Sequence, residues 1–385
     1  MKTLYSEKIS CYASDTAGVC SALFELGGMT VVHDASGCNS TYATHDEPRW
    51  FHSDSMTYIS AVTENDLVCG NDQKLIDDVV QTALELQPEF IALCNSPIPL
   101  MVGVDMQAIA REIEKSCCIP CFAVRTSGME HYWRGAADAW KLLAERFLPE
   151  KKQQSIPRSV NILGATPLDF SLNGNVEAIA AFLEKHNFTL LASWAMNSTL
   201  KDLQTSCNAA VNLVIANSGL PLAKYMFDKY NIPFVCGVPI GESAAASLAQ
   251  ALEDAATDQE CCYWASQRRS INADCVIAGD TVFAGSLARA LEVERQMRCM
   301  VIDPLDGAVE LRAPGDVAAA CEGEFVPYFE RAACIVADNM YEVIVPENKN
   351  MLKLPHEAFS GRCYHKARLN LIDKKINWES YICRK

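Results

Sequence analysis

Residues 29–48 read MTVVHDASGCNSTYATHDEP, and the change of texture within them decides the fold. MTVVH is a short β-branched run of the kind that forms a strand buried on both faces. It gives way at Asp34 to a loop of small and polar residues carrying Cys38. Similar apolar runs recur at 90–94, 121–125, 160–163, 189–193, 210–216, 234–238, 273–277, 299–302 and 333–337. Between them lie amphipathic stretches such as QKLIDDVVQTALELQP, NVEAIAAFLEKHN and GSLARALEVERQM, apolar at spacings of three and four. Strands alternating with helices predict parallel sheets covered by helices, an α/β chain of several doubly wound units.

A chain of 385 residues is too long for one ordinary core. FLPEKKQQSIPRS, at 147–159, is charged, proline-flanked and poor in apolar residues, as a linker is. A second break falls in EDAATDQECCYWASQRRSINADC, at 253–275, where a long helix precedes a new strand. The expectation is three Rossmann-like domains at 1–150, 151–262 and 263–385. The formal charge of -15 argues against nucleic acid or an anionic membrane as partner, because phosphate binding needs a positive field. An anionic ligand would have to meet a local basic pocket. MKTLYSEKISCYASD lacks a signal peptide's apolar core, and no later window resembles a membrane span, so a cytoplasmic location is expected. There, 18 cysteines are packing residues, metal ligands or redox groups before they are disulfides.

Several common chemistries are missing. No Gly-Lys dipeptide occurs, so there is no P-loop and ATP hydrolysis in this chain is not expected. Neither GxGxxG, His-Glu-x-x-His nor Gly-x-Ser-x-Gly is present. Cys118 and Cys121 have CxxC spacing, but they follow a helix and run into a strand, so no helix N-terminus activates the first thiol. Packing is the expected role for both.

Three other cysteines sit at ends of elements. Cys11 precedes the helix-like DTAGVCSALFELGG, Cys38 follows MTVVH, and Cys94 ends PEFIALC and opens NSPIPLMVGVD. Residues past the carboxyl ends of parallel strands converge on one edge, where ligands bind. Thiolates from separate loops can thus meet and hold an iron–sulfur cluster, although buried apolar thiols would satisfy the same spacing.

The flanking residues add a resemblance. CYASDTAGVCSALFELGGMTVVHDASGCNSTYATHDEP, SDSMTYISAVTENDLVCGNDQKL and PEFIALCNSPIPLMVGVDM are similar, in order and spacing, to the first-domain segments of the nitrogenase component 1 family, nearest to its β-type subunit. The intervals of 27 and 56 residues between Cys11, Cys38 and Cys94 agree. FAVRTSGM resembles the family's threonine-bearing strand end. NSTLKDLQTSCNAAVNLVIANSGLPLAKYMFDKYNIPFV, AGDTVFAGSLARAL and NMYEVIVPENKNMLKLPHEAFSGRCYHKARLNLI resemble its later segments.

The resemblance implies a nitrogenase-like oxidoreductase component. It implies Cys11, Cys38 and Cys94 as ligands of a [4Fe-4S] or P-cluster-like eight-iron cluster, completed at a homodimer interface or one with a component 1 paralogue. A separate P-loop, ATP-dependent iron–sulfur reductase would supply electrons for a small molecule or tetrapyrrole held between the domains. Cys20 and Cys69 are possible further ligands, with packing the preferred role. Substrate-side candidates are His33, Asp34, His45, Arg125, His365 and Lys366, able to move protons or bind anions. Ala216 occupies the place matching the cysteine that anchors the molybdenum–iron cofactor, so that cofactor is not expected to be held in the nitrogenase manner. Gly-Val-Asp at 103–105 and Asn71 also depart from the family pattern. Two other functions stay open: a non-catalytic scaffold for metallocluster assembly and transfer, and a cysteine-rich binding or redox-sensing protein.

Overall fold

Every apolar run read from the sequence forms a strand, because a continuous run of Val, Ile and Leu can bury both faces only inside a helix-covered sheet. The computed structural model describes residues 7–10, 12–37, 47–152, 154–268 and 273–376, without the side chains of Phe51 and His365. Cys11, Cys38 and His45 therefore lie outside the described residues.

The first sheet comprises β1 (Met29–His33), β2 (Met56–Ile59), β3 (Ile91–Asn95) and β4 (Cys121–Val124), in the order β2-β1-β3-β4. The second comprises β5 (Ser159–Leu163), β6 (Thr189–Trp194), β7 (Val211–Val214) and β8 (Phe234–Cys236), in the order β6-β5-β7-β8. In the third, β9 (Cys275–Ala278), β10 (Cys299–Asp303), β11 (Val317–Ala318), β12 (Cys334–Ala337) and β13 (Met351–Lys353) are ordered β11-β10-β9-β12-β13. All pairings within the sheets are parallel. The chain is thus an α/β protein with three parallel, helix-flanked sheets.

Strand order reverses direction once in each sheet, between β1 and β3, between β5 and β7, and between β9 and β12. At such switch points the loops after neighbouring strands part and leave a crevice. Small residues bring the helices close above the first sheet. A Cβ on Gly18 would stand 1.8 Å from the Tyr132 carbonyl oxygen, and one on Gly135 only 1.9 Å from that of Asp15. The helices Asp15–Leu23 and Tyr132–Phe147 therefore cross backbone to backbone, which only glycine permits. Among the described residues no helix is long and apolar enough to cross a membrane.

Candidate functional site

The first switch point lies between β1, which leads into the loop of Cys38, and β3, which carries Cys94. Parallel register places Val32 beside Cys94 and His33 beside Asn95, so the loop that carries Cys38 leaves the sheet next to the end of β3. Side chains from three elements lock this edge. The Thr126 hydroxyl accepts from the Asn95 N–H at 2.8 Å and donates to the Asn95 carbonyl at 2.7 Å. Ser96 donates to the His33 carbonyl at 3.0 Å. Asp15, buried at the start of its helix, accepts from the N–H groups of Ser127 and Gly128 at 2.8 and 2.7 Å. This fastens the helix that follows Cys11 over the ends of β3 and β4.

Cys94 lies one residue inside the strand end, fully buried, in the same core as Ala92, Phe90 and Cys20. Burial pushes its thiol well up, with Cys20 and Asp15 adding to the effect. Cys20 is likewise buried, and burial pushes its thiol up to about 12. Cys69 differs from the packing expectation: it ends the helix Glu64–Cys69 and is exposed. In the CxxC pair, Cys118 is exposed in a left-handed cap, while Cys121 is buried and burial pushes its thiol well up.

The fit of a thiolate-held cluster is a matter of donor chemistry and reach. Cys94 is a soft donor with the buried, partnerless Asn95 Oδ1 next to it in sequence. Cys11 precedes Tyr12, whose hydroxyl meets that of Tyr341 at 2.5 Å and whose ring packs on Phe359, and Cys38 directly follows Gly37 in the loop after β1. Among the described residues alone, no three His, Cys, Asp or Glu side chains converge as metal ligands would.

Around this edge the substrate-side candidates separate. His33 is buried, with its Nδ1 2.9 Å from Ser60 Oγ, and burial lowers its pKa, so at neutral pH it is an uncharged structural imidazole. Asp34 is buried and accepts from the Ala35 N–H at 2.8 Å. Arg125 is exposed beyond β4. Of the candidates with described side chains, Lys366 lines a cavity of about 320 Å³, together with Pro48, His52, Ser171, Leu172, Asn173 and Arg362. These residues come from three distant stretches of chain, and three of them are basic. This is the local basic pocket that an anionic ligand requires in an acidic protein. Ser171 also donates to Glu357 Oε1 at 2.8 Å. The sequence reading had not singled out His52 or Arg362. The available signal was the basic run GRCYHKAR at 361–368 in an acidic chain.

Pro48 and His52 are positioned by Arg49, whose guanidinium is buried and meets Glu47 Oε1 at 2.8 Å, Glu25 Oε1 at 2.9 Å and the Ser21 carbonyl at 2.6 Å. Arg49 also lies over the Phe24 ring at 4.5 Å. The turn Pro48–Phe51 is thereby tied to the Asp15–Leu23 helix and the residue after it.

At the third switch point a small cavity of about 20 Å³ lies between Asp280, Asp338, His356 and Arg368. Asp280 accepts from the Asn217 N–H at 2.9 Å across the sheets. Burial and the neighbouring Asp169 push its pKa up to about 7. Asp169 in turn accepts from Tyr132 at 2.5 Å and stands 3.5 Å from His356 Nε2. At the second switch point Ala216 is buried, and a Cβ on Gly164 would come within 3.2 Å of its methyl. No donor atom is present there in the side chain.

Beside the first switch point the helices Glu64–Cys69 and Pro97–Val102 pack together and expose Val68, Ile98, Leu100, Met101 and Val102. Val68 and Met101 are 79% and 81% exposed, the most exposed large apolar side chains on these two helices.

Comparison with known proteins agrees with the architecture. The family model for nitrogenase component 1 type oxidoreductases matches residues 14–288. The chain is 25% identical over 185 residues to the nitrogenase iron-molybdenum cofactor biosynthesis protein NifE of Clostridium pasteurianum, covering 46% of this chain and 39% of that protein. It is 26% identical over 192 residues to the nitrogenase molybdenum-iron protein alpha chain of Azospirillum brasilense, covering 47% and 39%. The match thus spans about two fifths of the length of these relatives. The solved structure of nitrogenase Cp1 at pH 5 superposes with a TM-score of 0.66 at 14% identity, over 94% of this chain and 86% of that one, which is a likeness of fold. Both named relatives are of α-chain or cofactor-biosynthesis type, whereas the first-domain motifs resemble the β-type subunit; the family is the same for each. This chain belongs to the nitrogenase component 1 type oxidoreductase family.

Proposed function

We propose that this protein is a nitrogenase-like reductase component. Cys11, Cys38 and Cys94 hold an iron–sulfur cluster at a subunit interface, and a small molecule or tetrapyrrole binds in the basic cavity. The observation that carries the reading is the register of β1 and β3, which brings two cysteine-bearing segments to one switch point beneath the helix that follows the third. When bound, a [4Fe-4S] or eight-iron cluster supplies one-electron transfer. The chain's own residues set the conditions for holding it. Asp15, Thr126 and Ser96 fix the strand ends, and Cys94 must give up a proton that burial makes it keep. Metal loading therefore strengthens as pH rises.

Three cysteines leave a cubane one ligand short, which a partner subunit can complete. The apolar surface around Val68 and Met101 lies beside these loops and suits a second copy of this chain or a paralogue. In the cavity, Lys366, Arg362 and His52 would draw in and orient a carboxylate-bearing substrate. The Ser171 hydroxyl, bonded to Glu357, faces the same space and offers a path for a proton. The reducing partner is a separate P-loop, ATP-dependent iron–sulfur protein, since this chain has no P-loop of its own.

One observation favours a second reading. Ala216 puts a buried methyl group where the resemblance expects a cofactor-anchoring thiol, which suits a scaffold that assembles a metallocluster and releases it. The two separate in a single experiment on anaerobically purified protein. MgATP-dependent reduction of the cluster by such a reductase, followed by substrate turnover, is the expected result. Transfer of the cluster to an apo-protein without turnover would replace the enzyme reading with the scaffold.

A further inference from the structure

At the opposite end of the third sheet, away from its switch point, three cysteines stand in a row. Cys275, Cys299 and Cys334 are each the first residue of a strand, namely β9, β10 and β12. Register pairs Cys275 directly with Cys299 on one side and directly with Cys334 on the other. Their side chains share one face, with Ile277, Val301 and Val336 next along the same face in the core.

We infer that this row is a thiol–disulfide switch in which Cys275 bonds to one of its two neighbours when a peroxide-class oxidant reaches the sheet edge. Paired residues on adjacent strands have Cα atoms about 4.8 Å apart, within the ~4.4–6.8 Å window of disulfides. The side-by-side Cβ directions of parallel strands make such a bond strained and easily reduced, the property of a labile rather than a structural disulfide. A metal site is the weaker alternative. Side chains from three adjacent strands stand in a line rather than a triangle, and they do not converge as metal ligands do.

Exposure and charge give the row a direction. Cys275 is completely buried, Cys299 is 4% exposed and Cys334 is 8% exposed, so Cys334 is the one an oxidant meets first. The Cys275 thiol interacts with those of Cys299 and Cys334 and is itself held well up. Its hydrogen bond to Cys334 pulls the Cys334 thiol down, against the effect of burial, favouring the nucleophilic thiolate. In the first step the Cys334 thiolate attacks hydrogen peroxide. An S–O bond forms, the O–O bond breaks, and the hydroxide released takes a proton to become water, leaving a sulfenic acid. In the second, Cys275 loses its proton and its sulfur displaces the hydroxyl of that sulfenic acid as a second water, forming the S–S bond. Two thiols give up two electrons and one peroxide is reduced to two waters. Cys299 can then attack the Cys275 sulfur and release Cys334 as a thiol, moving the bond without further oxidation.

Trypsin places the three residues on separate peptides, 270–289, 299–312 and 332–349, each with one cysteine. Full-length protein is reduced, treated with stoichiometric peroxide, alkylated and mapped without reductant. The expected result is a link from 270–289 to 332–349 or, after exchange, to 299–312, that dithiothreitol reverses. In Cys334→Ser the link moves to 299–312, and in Cys275→Ser it disappears. Should the variants fail to fold, the wild-type map decides alone. An unlinked 270–289 peptide in oxidised wild type, with Cys334 either a free thiol or a sulfinic acid, would overturn the switch. This readout does not depend on cluster or substrate binding.

Discussion

Replacing Arg49 by Met should destabilise the first sheet and its covering helix more than any surface change, and the structure sets the size. The guanidinium and Glu47 are 4% and 1% exposed at the side chain, and a second carboxylate, Glu25, sits at 2.9 Å. Removing one partner of a buried pair costs ~3–5 kcal/mol, because the other charge stays in a medium that solvates it poorly. Methionine keeps the apolar stem against Phe24, so most of that loss reports on charge rather than packing. Glu47→Gln combined with Arg49→Met should cost clearly less than the sum of the two single changes, since it removes the stranded charge along with its partner. Urea unfolding followed by tryptophan fluorescence measures it, read at the transition that involves Trp50, the neighbour of Arg49 in the same turn. The same variant should bind anions more weakly at the cavity, because Pro48 and His52 flank Arg49 and line it. A loss below ~1 kcal/mol, the range of exposed pairs, with fully additive double-variant energies, would refute the reasoning.

Asp280 carries a pH dependence of definite sign. Its folded pKa of about 7 lies above the ordinary 3.8. The native state therefore holds an extra proton between those values, and its contribution, present below pH ~4, is lost as pH rises through ~7. Asp280→Asn should flatten the fall in melting temperature over that window, a term worth up to ~4 kcal/mol; an unchanged slope would exclude it. Gly18→Ala drives a methyl into the Tyr132 carbonyl at 1.8 Å and should cost ~1–3 kcal/mol or more by denaturant titration, while a neutral result would mean the helices can separate freely. Met101→Glu, at an 81% exposed position, should leave unfolding within ~0.5 kcal/mol of wild type yet weaken the dimer proposed to form through this surface, read as a shift of sedimentation towards monomer. An unshifted dimer would move the interface elsewhere.

Most of the strands legible in the sequence are buried on both faces, where an apolar run needs no partner to be recognised, while β6 is exposed or half-buried over 189–191 and is read from its apolar run alone. Three strands were not read: β2, β11 and β13. Met56–Ile59 and Met351–Lys353 are half-exposed, and Val317–Ala318 is only two residues long, so pairing across the chain rather than local pattern defines them. The cysteines at element ends were visible as spacing, but which face Cys94 takes was not. IALCN is apolar on both sides of the pleat, and only the placement of the helix Asp15–Leu23 tells one face from the other. The basic cavity escaped for a different reason. His52, Asn173 and Arg362 are far apart in the chain and become neighbours only when the sheets assemble. The exposure of Cys69 goes with a short helix, started by a capping box at Thr63 and Asp66, in which no residue is buried.

The central claim is that Cys38, with Cys11 and Cys94, binds an iron–sulfur cluster, and its most direct test is iron and acid-labile sulfide analysis with EPR on anaerobically purified wild type and Cys38→Ala. Wild type should show a reducible cluster signal with stoichiometric iron and sulfide, and the variant should lose most of its iron together with that signal. Equal iron content and an identical spectrum in the two proteins would contradict it.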